Sequence, residues 1–549
     1  MKWLLGLLLI PVLTQAQDVD FQKNLKQHIT ILASDKYEGR ETGTPGEKLS
    51  YKYIAKQFKE MGLEPMGTDG YLQPFQFTIG RSVGKNNTLS VNGKRLKLNF
   101  DFISMPYYFK GEAKGTVVNV GYGISAPKID YDDYKNITTD LKGKIFVMEF
   151  GSPEGDNPHS KYGDYSDLQS KLETAVSKGA AGVIIINSNK DLKDPEVDLS
   201  RRSGKECVPV MFVKGSAATL FNSPDAQVEM SVDLPKVEGT GHNVIGFLNN
   251  NAPYTIVFTA HYDHLGYGGE GSLYRGDKAI HNGADDNASG TAALIELARY
   301  FKNADLKKNN FLFMACSGEE KGLLGSNYFV KNPTYPLDKM NYNINMDMLG
   351  RLKTDEPVLI INGVGTSPAF TEALKNVTLL KTKTTESGVS PSDNTSFYLS
   401  GVPAVHIFSG THSDYHKPSD DENLINYKGE NDILNFIIQL VKQLDDKGKL
   451  AFQKTKDTSD DDKPRFKVTL GVVPDYAYEG EGMRIDGVSD NKPASKAGLE
   501  KGDVVLQIGD EKVSDMTSYM RALGKFTKGD TVKVKVKRGS DVIEKDLTF

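Results

Sequence analysis

The chain has 549 residues, more than one hydrophobic core organises, so several domains are expected. A hydrophobic content of 38% with 25% charged residues is that of an ordinary globular protein and excludes a disordered or fibrous class. With a net charge of -5 and no basic stripe, nucleic acid is not an expected partner.

Residues 1–16, MKWLLGLLLIPVLTQA, open on Lys2, run apolar from Trp3 to Leu13 and leave through Thr14-Gln15-Ala16. A basic start, a short apolar middle and a small-residue exit predict a secretory signal peptide. The run is well short of the ~20 apolar residues of a membrane span. Cleavage is expected near Ala16, with export to the periplasm or the extracellular space. No other segment is long and apolar enough to insert stably in a membrane. Two cysteines, Cys207 and Cys316, build no disulfide framework. Cys316, in the apolar run FLFMAC, reads as a buried small hydrophobe, with a bridge to Cys207 as the alternative.

Phe21, Leu25, Ile29 and Leu32 recur at helical spacing, as do Tyr51, Ile54, Phe58 and Met61, with Gly62 as a helix stop. Between them SDKYEGRETGTPGEK reads as a turn-rich connection. Residues 17–85 are assigned to the first part of a catalytic domain. Over 86–235 short strand-like runs dominate, followed by one helix–turn–strand unit, LQSKLETAVSKGAAGVIIIN. The KGKI strand and the AxxxGAAGVI pattern resemble the protease-associated domain inserted in several secreted peptidases. Residues 236–448 alternate strands and helices, which predicts an α/β domain whose mixed sheet is mainly parallel. Residues 449–463 are polar and charged, a linker. The tail, 464–549, contains GLEKGDVVLQIGD and resembles a PDZ domain, with TLGVVPDY at the loop that receives a peptide carboxylate. It is expected to bind extended peptide ends by strand addition.

The chemistry lies in five motifs, each preceded by an apolar strand-like run: HYDHLG at 261–266, IHNGADDNASG at 280–290, SGEEKGLLGS at 317–326, NMDMLG ending at Gly350, and HSDYHKPSDD at 412–421. In open α/β sheets ligands bind beyond the carboxyl ends of the strands, so these motifs are expected to converge. Imidazole and carboxylate suit zinc, and two ions ~3.5–4 Å apart need a carboxylate that gives one oxygen to each. Asp286 is the natural bridge, with Asp285 as the alternative. His261 and Asp347 would complete one centre, Glu320 and His416 the other, with a shared water between them. Neighbouring side chains diverge, so Glu320 coordinates while Glu319 stays free as general base. Tyr415 is placed to meet the developing oxyanion. His264, His281, His406 and His412 read as structural or surface histidines.

Together these residues resemble the secreted co-catalytic dizinc aminopeptidase family, whose relatives include glutamate carboxypeptidases, glutaminyl cyclases and the transferrin receptor ectodomain. The resemblance covers roughly 20–65 and 240–445. It implies a zinc-exopeptidase fold and two zinc ions on His261, Asp286, Glu320, Asp347 and His416. It further implies Glu319 as general base, Asp263 as the carboxylate that orients His261, Asp286 rather than Asp285 as the bridge, and peptides as substrates. Tyr415 matches a tyrosine of only some members. Where the family reads SDH, this chain has Ser392-Asp393-Asn394, expected to line the pocket wall. A cyclase-like transferase, a carboxypeptidase and a noncatalytic peptide-binding protein are the alternatives on the same scaffold.

Overall fold

The computed structural model describes residues 19–549 apart from 108–109, 156–159, 163–164, 198, 200–207, 270, 275, 456–467, 475–477, 479, 489–491, 515, 524 and 527–528. The leader at 1–16, Cys207 and the second half of the linker lie outside the described residues, as does the end of TLGVVPDY. The chain divides into two compact units, one built from Gly241–Ser459 and the chain up to Phe75, the other from Gln76–Thr240 and Asp460–Phe549.

The first unit begins with helix α1 (Gln22–Leu32), whose Leu25, Ile29 and Leu32 are fully buried, the stripe expected from their spacing. Helix α2 (Pro45–Met61) starts where the Thr44 hydroxyl accepts from the Glu47 amide and Pro45 occupies the first turn. It stops at Gly62, which takes the left-handed conformation that a side chain would resist. Among the described residues nine strands form one sheet. Its central members are β1 (Lys236–Leu248), β2 (Thr255–His261), β3 (Asn310–Cys316), β4 (Met340–Met346), β5 (Val358–Asn362), β6 (Lys381–Thr385) and β7 (Ala404–Phe408), in the order β1-β3-β2-β4-β7-β5-β6. The neighbours β3, β2, β4 and β7 run parallel, while β1 and β5 pair antiparallel at the flanks.

Every residue of β2, β3 and β4 is buried, as strands covered on both faces must be. One cover contains α1, α2, α3 (Gly290–Asn303) and α4 (Tyr427–Leu444), where Phe258 stacks with Phe301, Phe311 and Phe313. The other gathers Ile245, Val257, Met314, Phe329 and Phe397 around Cys316, which is a free buried thiol.

In the second unit, among the described residues, an eight-stranded sheet carries Lys110–Asn119, Ile145–Glu149, Gly182–Ile186 and Val210–Val213 side by side, with the helix Leu168–Ser177 on one face. Gly179, at φ +90, makes the turn from that helix to the strand Gly182–Ile186. A separate set of strands, Val472–Pro474, Met483–Val488, Val504–Ile508, Glu511–Lys512, Thr531–Arg538 and Asp541–Thr548, encloses its own core of Leu470, Ile485, Val505, Ile508 and Val536. The Glu500–Asp503 turn is held by Arg538, whose guanidinium grips both oxygens of the buried Asp503 at 2.7 Å.

Candidate metal centre

The parallel strands β3, β2, β4 and β7 end together, with His261 level with Cys316. The chain steps from β2 to β3 on one side and then crosses to β4 on the other, so the strand order reverses at β2. A crevice forms at such a switch point, beyond the carboxyl ends. His261 is the last residue of β2, Asp347 follows β4, Glu319 and Glu320 lie just past β3, and His416 lies past β7. Asp286 sits in the loop that opens α3. That loop is pinned twice: the Asp420 carboxylate accepts from the amides of Asp285 and Asp286 at 3.1 and 3.0 Å, and Asn287 spans to β4. The Asn287 amide donates to the Met346 carbonyl at 3.0 Å, while its oxygen accepts from the amides of Gly290 and Met348. Asn287 thereby ties the Asp286 loop to the Asp347 loop. Met348 and His416 both have φ +55, a left-handed backbone that costs a residue with a side chain about 1–2 kcal/mol.

The donor atoms form two centres sharing one carboxylate. His261 Nε2 is 3.2 Å from Asp347 Oδ1 and 3.4 Å from Asp286 Oδ1. His416 Nε2 is 3.2 Å from Asp286 Oδ2 and 3.2 Å from Glu320 Oε2. Tetrahedral zinc with ligands at about 2.0–2.1 Å sets neighbouring donors about 3.3 Å apart. All four separations match that edge, and Asp286 directs one oxygen to each centre. The other ring nitrogens are committed to the protein: His261 Nδ1 faces the Asp263 carbonyl at 3.2 Å and its carboxylate at 3.8 Å, and His416 Nδ1 faces the Gly271 carbonyl at 2.8 Å. Such contacts fix the ring and leave Nε2 for a metal. The residues therefore fit a pair of zinc ions.

Electrostatics say the same. Burial pushes His261 down, but Asp347, Glu319 and Asp286 outweigh it and hold the imidazole well above its ordinary value. Burial also opposes charging His416, yet Asp286 and Glu320 hold it at about 11. Burial raises Glu319 far above the carboxylate range, with Asp347, Glu320 and Asp393 adding to it. Glu320, equally buried, is driven far below that range by His264 and His416. Without a cation this pocket gathers protons to balance its carboxylates. Burial, with Asp286 and Glu320 next, also raises the Tyr415 phenol, which stays a neutral donor with its ring stacked on His416 at 3.8 Å between centroids.

Of the two adjacent aspartates, Asp285 turns away. It accepts from the Gly350 amide at 2.6 Å and faces His412 Nε2 at 3.1 Å. Asp263 is wholly buried, accepting from the Thr42 hydroxyl at 2.9 Å and the Glu319 amide at 3.1 Å, and burial pushes it up to about 7. Ser392, Asp393 and Asn394 are buried, and the Ser392 side chain hydrogen-bonds Asp347. His281 and His406 stay off the two centres: His281 meets Ser272 at 2.8 Å, and the nearest approach of His406 to Asp347 is 4.0 Å.

The connection at 34–48 carries more than turns. Arg40 is fully buried and donates to the carbonyls of Tyr262 (2.8 Å), Leu32 (2.8 Å), Asn282 (2.6 Å) and Gly283 (2.8 Å). It clasps the loop after His261 to the loop before Asp286. Burial lowers it to about 10, against the carboxylates of Asp286, Asp420 and Asp263. Gly39, at φ +66, permits this contact, because a side chain there would lie 2.5 Å from the carbonyls of Gly266 and His281. Glu47 accepts from the Ser317 hydroxyl at 2.7 Å and the His242 amide at 3.0 Å. The available signal was an arginine set among glycines and threonines in EGRETGTPG, immediately before a helix.

Three family models match the chain: Peptidase family M28 over residues 243–441, the PA domain over 113–220 and the PDZ domain over 451–548. An aminopeptidase of Pseudomonas aeruginosa (strain UCBPP-PA14) is 26% identical over 339 residues, covering 59% of this chain and 56% of that protein. The chain thus spans just over half of that relative's length. Aminopeptidase YwaD of Bacillus subtilis is 27% identical over 400 residues, covering 69% of this chain and 76% of its own. Among solved structures, BSAP, a zinc aminopeptidase from Bacillus subtilis, aligns at a TM-score of 0.47 and 22% identity over 81% of this chain and 98% of that one.

Proposed function

We propose that this chain, which belongs to peptidase family M28 through residues 243–441 and carries PA and PDZ domains, is a zinc-dependent aminopeptidase acting on peptides. The observation that carries the reading is the split of Asp286, whose two oxygens each lie 3.2–3.4 Å from a different imidazole. His261, Asp286 and Asp347 would hold one ion, and Asp286, Glu320 and His416 the second. Bound there, two zinc ions would acidify a shared water and polarise the scissile carbonyl.

The protein's own groups do the rest. Glu319, whose proton affinity burial and the neighbouring carboxylates raise, acts in its ionised form: it takes the proton from the attacking water and returns it to the departing amine. The neutral Tyr415 hydroxyl donates to the carbonyl oxygen as negative charge develops. Asp263 fixes the Glu319 backbone through its amide, so the general base is aimed by the residue that also backs His261. Export after cleavage near Ala16, and capture of a peptide end by the PDZ domain, belong to the same reading.

The test is cleavage of a peptide with a free amine beside its N-acetylated form, together with metal analysis of the purified protein. The free peptide is cleaved, the blocked one is not, and two zinc ions are found per chain. Cleavage of the blocked peptide would move the assignment to carboxypeptidase. One ion per chain with cyclisation of N-terminal glutamine would move it to a cyclase.

A further inference from the structure

The motif HYDH carries a second histidine, and its place is specific. His264 is 1% exposed. Its Nδ1 lies 2.7 Å from Glu320 Oε1 and 3.8 Å from Asp286 Oδ2, and its ring meets that of His416 edge-on at 5.8 Å. Two donors of one tetrahedral zinc stand about 3.3 Å apart, as His416 does from Asp286 and Glu320. A separation of 2.7 Å is too short for that edge and is a hydrogen-bond length. The two oxygens of Glu320 are thereby divided: Oε1 faces His264, and Oε2 faces His416.

We propose that His264 is a positioning residue of the second metal centre, donating from Nδ1 to Glu320 Oε1 so that Glu320 binds the ion through Oε2 alone. The proposal deepens the dizinc reading and rests on it. The surroundings are built to hold the ring. Gly283, with φ +55, passes against its face, where a side chain would lie 2.5 Å from Cδ2 and 2.6 Å from Cγ. The His264 amide donates to the Arg40 carbonyl at 3.4 Å, so the same clasp that joins the ligand loops fixes this residue. Among the described residues, buried Nε2 has no hydrogen-bond partner. With the proton on Nδ1, what is left at Nε2 is a lone pair rather than an unpaired N–H, the cheaper of the two arrangements. Carboxylates that ligate metals are themselves held by hydrogen bonds, and loss of such a partner weakens the metal about 10- to 100-fold.

The experiment titrates zinc and cobalt into the metal-free full-length protein against a competing chelator, for wild type, His264→Ala and His264→Asn. Asparagine keeps an N–H donor near the position of Nδ1. Expected are two binding steps in each protein, with one step lowered about 10- to 100-fold in His264→Ala and largely restored in His264→Asn, while the other step stays as in wild type. The assignment is overturned if His264→Ala binds both ions like wild type. It is also overturned if His264→Asn is as weak as His264→Ala, or if cobalt bound to His264→Ala shows the spectrum of a centre short of one nitrogen ligand. Cleavage is followed in parallel. A wild type that binds two ions but cleaves no free-amine peptide defeats the aminopeptidase reading alone, because the affinities still decide the role of His264.

Discussion

Glu319 and Glu320 are neighbours in the chain and equally buried, yet their surroundings push their acidities in opposite directions. Two imidazoles face Glu320 and hold it ionised, whereas carboxylates crowd Glu319 and favour its proton. Neighbouring carboxyls driven apart in this way can divide ligand and acid–base duties. Glu319→Gln keeps the shape of the side chain and removes the proton acceptor. It is expected to lower kcat about 10²- to 10⁴-fold with zinc content unchanged, checked by steady-state kinetics beside metal analysis. Arg40 sets a different demand. Its removal takes a donor from four buried carbonyls, of which the Gly283 carbonyl alone keeps a second one from the Ala288 amide, and leaves several carboxylates without their permanent cation, so Arg40→Met is expected to cost about 3–5 kcal/mol in denaturant unfolding. Arg40→Lys recovers little, because an ammonium does not reproduce the fork that spans two loops.

At the scale of the element, each proposed ligand rests on a strand end or on a loop tied to one. The fully buried strands β2, β3 and β4 anchor these loops, and the stack of Phe258 with Phe301, Phe311 and Phe313 holds α3 against the sheet. Phe258→Ala should cost about 3–5 kcal/mol, read as a shift of the unfolding midpoint. In the second unit the helix Leu168–Ser177 carries Lys171, which is 1% exposed and donates to the carbonyls of Glu149 and Gly151. Burial lowers it to about 8. The unfolded chain, with an ordinary value of about 10.4, binds this proton over a range where the folded one has released it. Stability contributed at this site therefore rises as pH climbs from about 8 to about 10.4. The difference in unfolding midpoint between wild type and Lys171→Met, measured across that interval, should move in favour of wild type.

For the whole molecule, metal binding and folding are linked. Each zinc ion that binds the folded first unit and not the unfolded chain raises its stability by mass action, about 2.7 kcal/mol per ion at a hundred times its dissociation constant. A chelator should lower the melting temperature and abolish cleavage, and zinc should restore both. The tail at 464–549 has a core of its own and a turn locked by Arg538 onto Asp503. Deleting it should leave the rate on short peptides unchanged. A fall confined to long peptides would assign the tail to substrate delivery, and equal rates on both would remove that role.

The sequence by itself determined the class of fold and of chemistry. Period-two and period-3.6 patterns reflect burial along each element, and His and acidic residues that follow apolar runs report strand ends in a parallel sheet. What only the tertiary structure decided was how side chains adjacent in the chain share the work. Asp285 turns to His412 while Asp286 faces both centres, and His264 holds an oxygen of Glu320, because loops closing at β2 set directions that spacing does not encode. The outer layer from Arg40, Thr42 and Glu47 was equally hidden. It stands more than two hundred residues from the loops it clasps, and a turn-rich stretch looks the same in sequence whether it borders solvent or lies against a metal site.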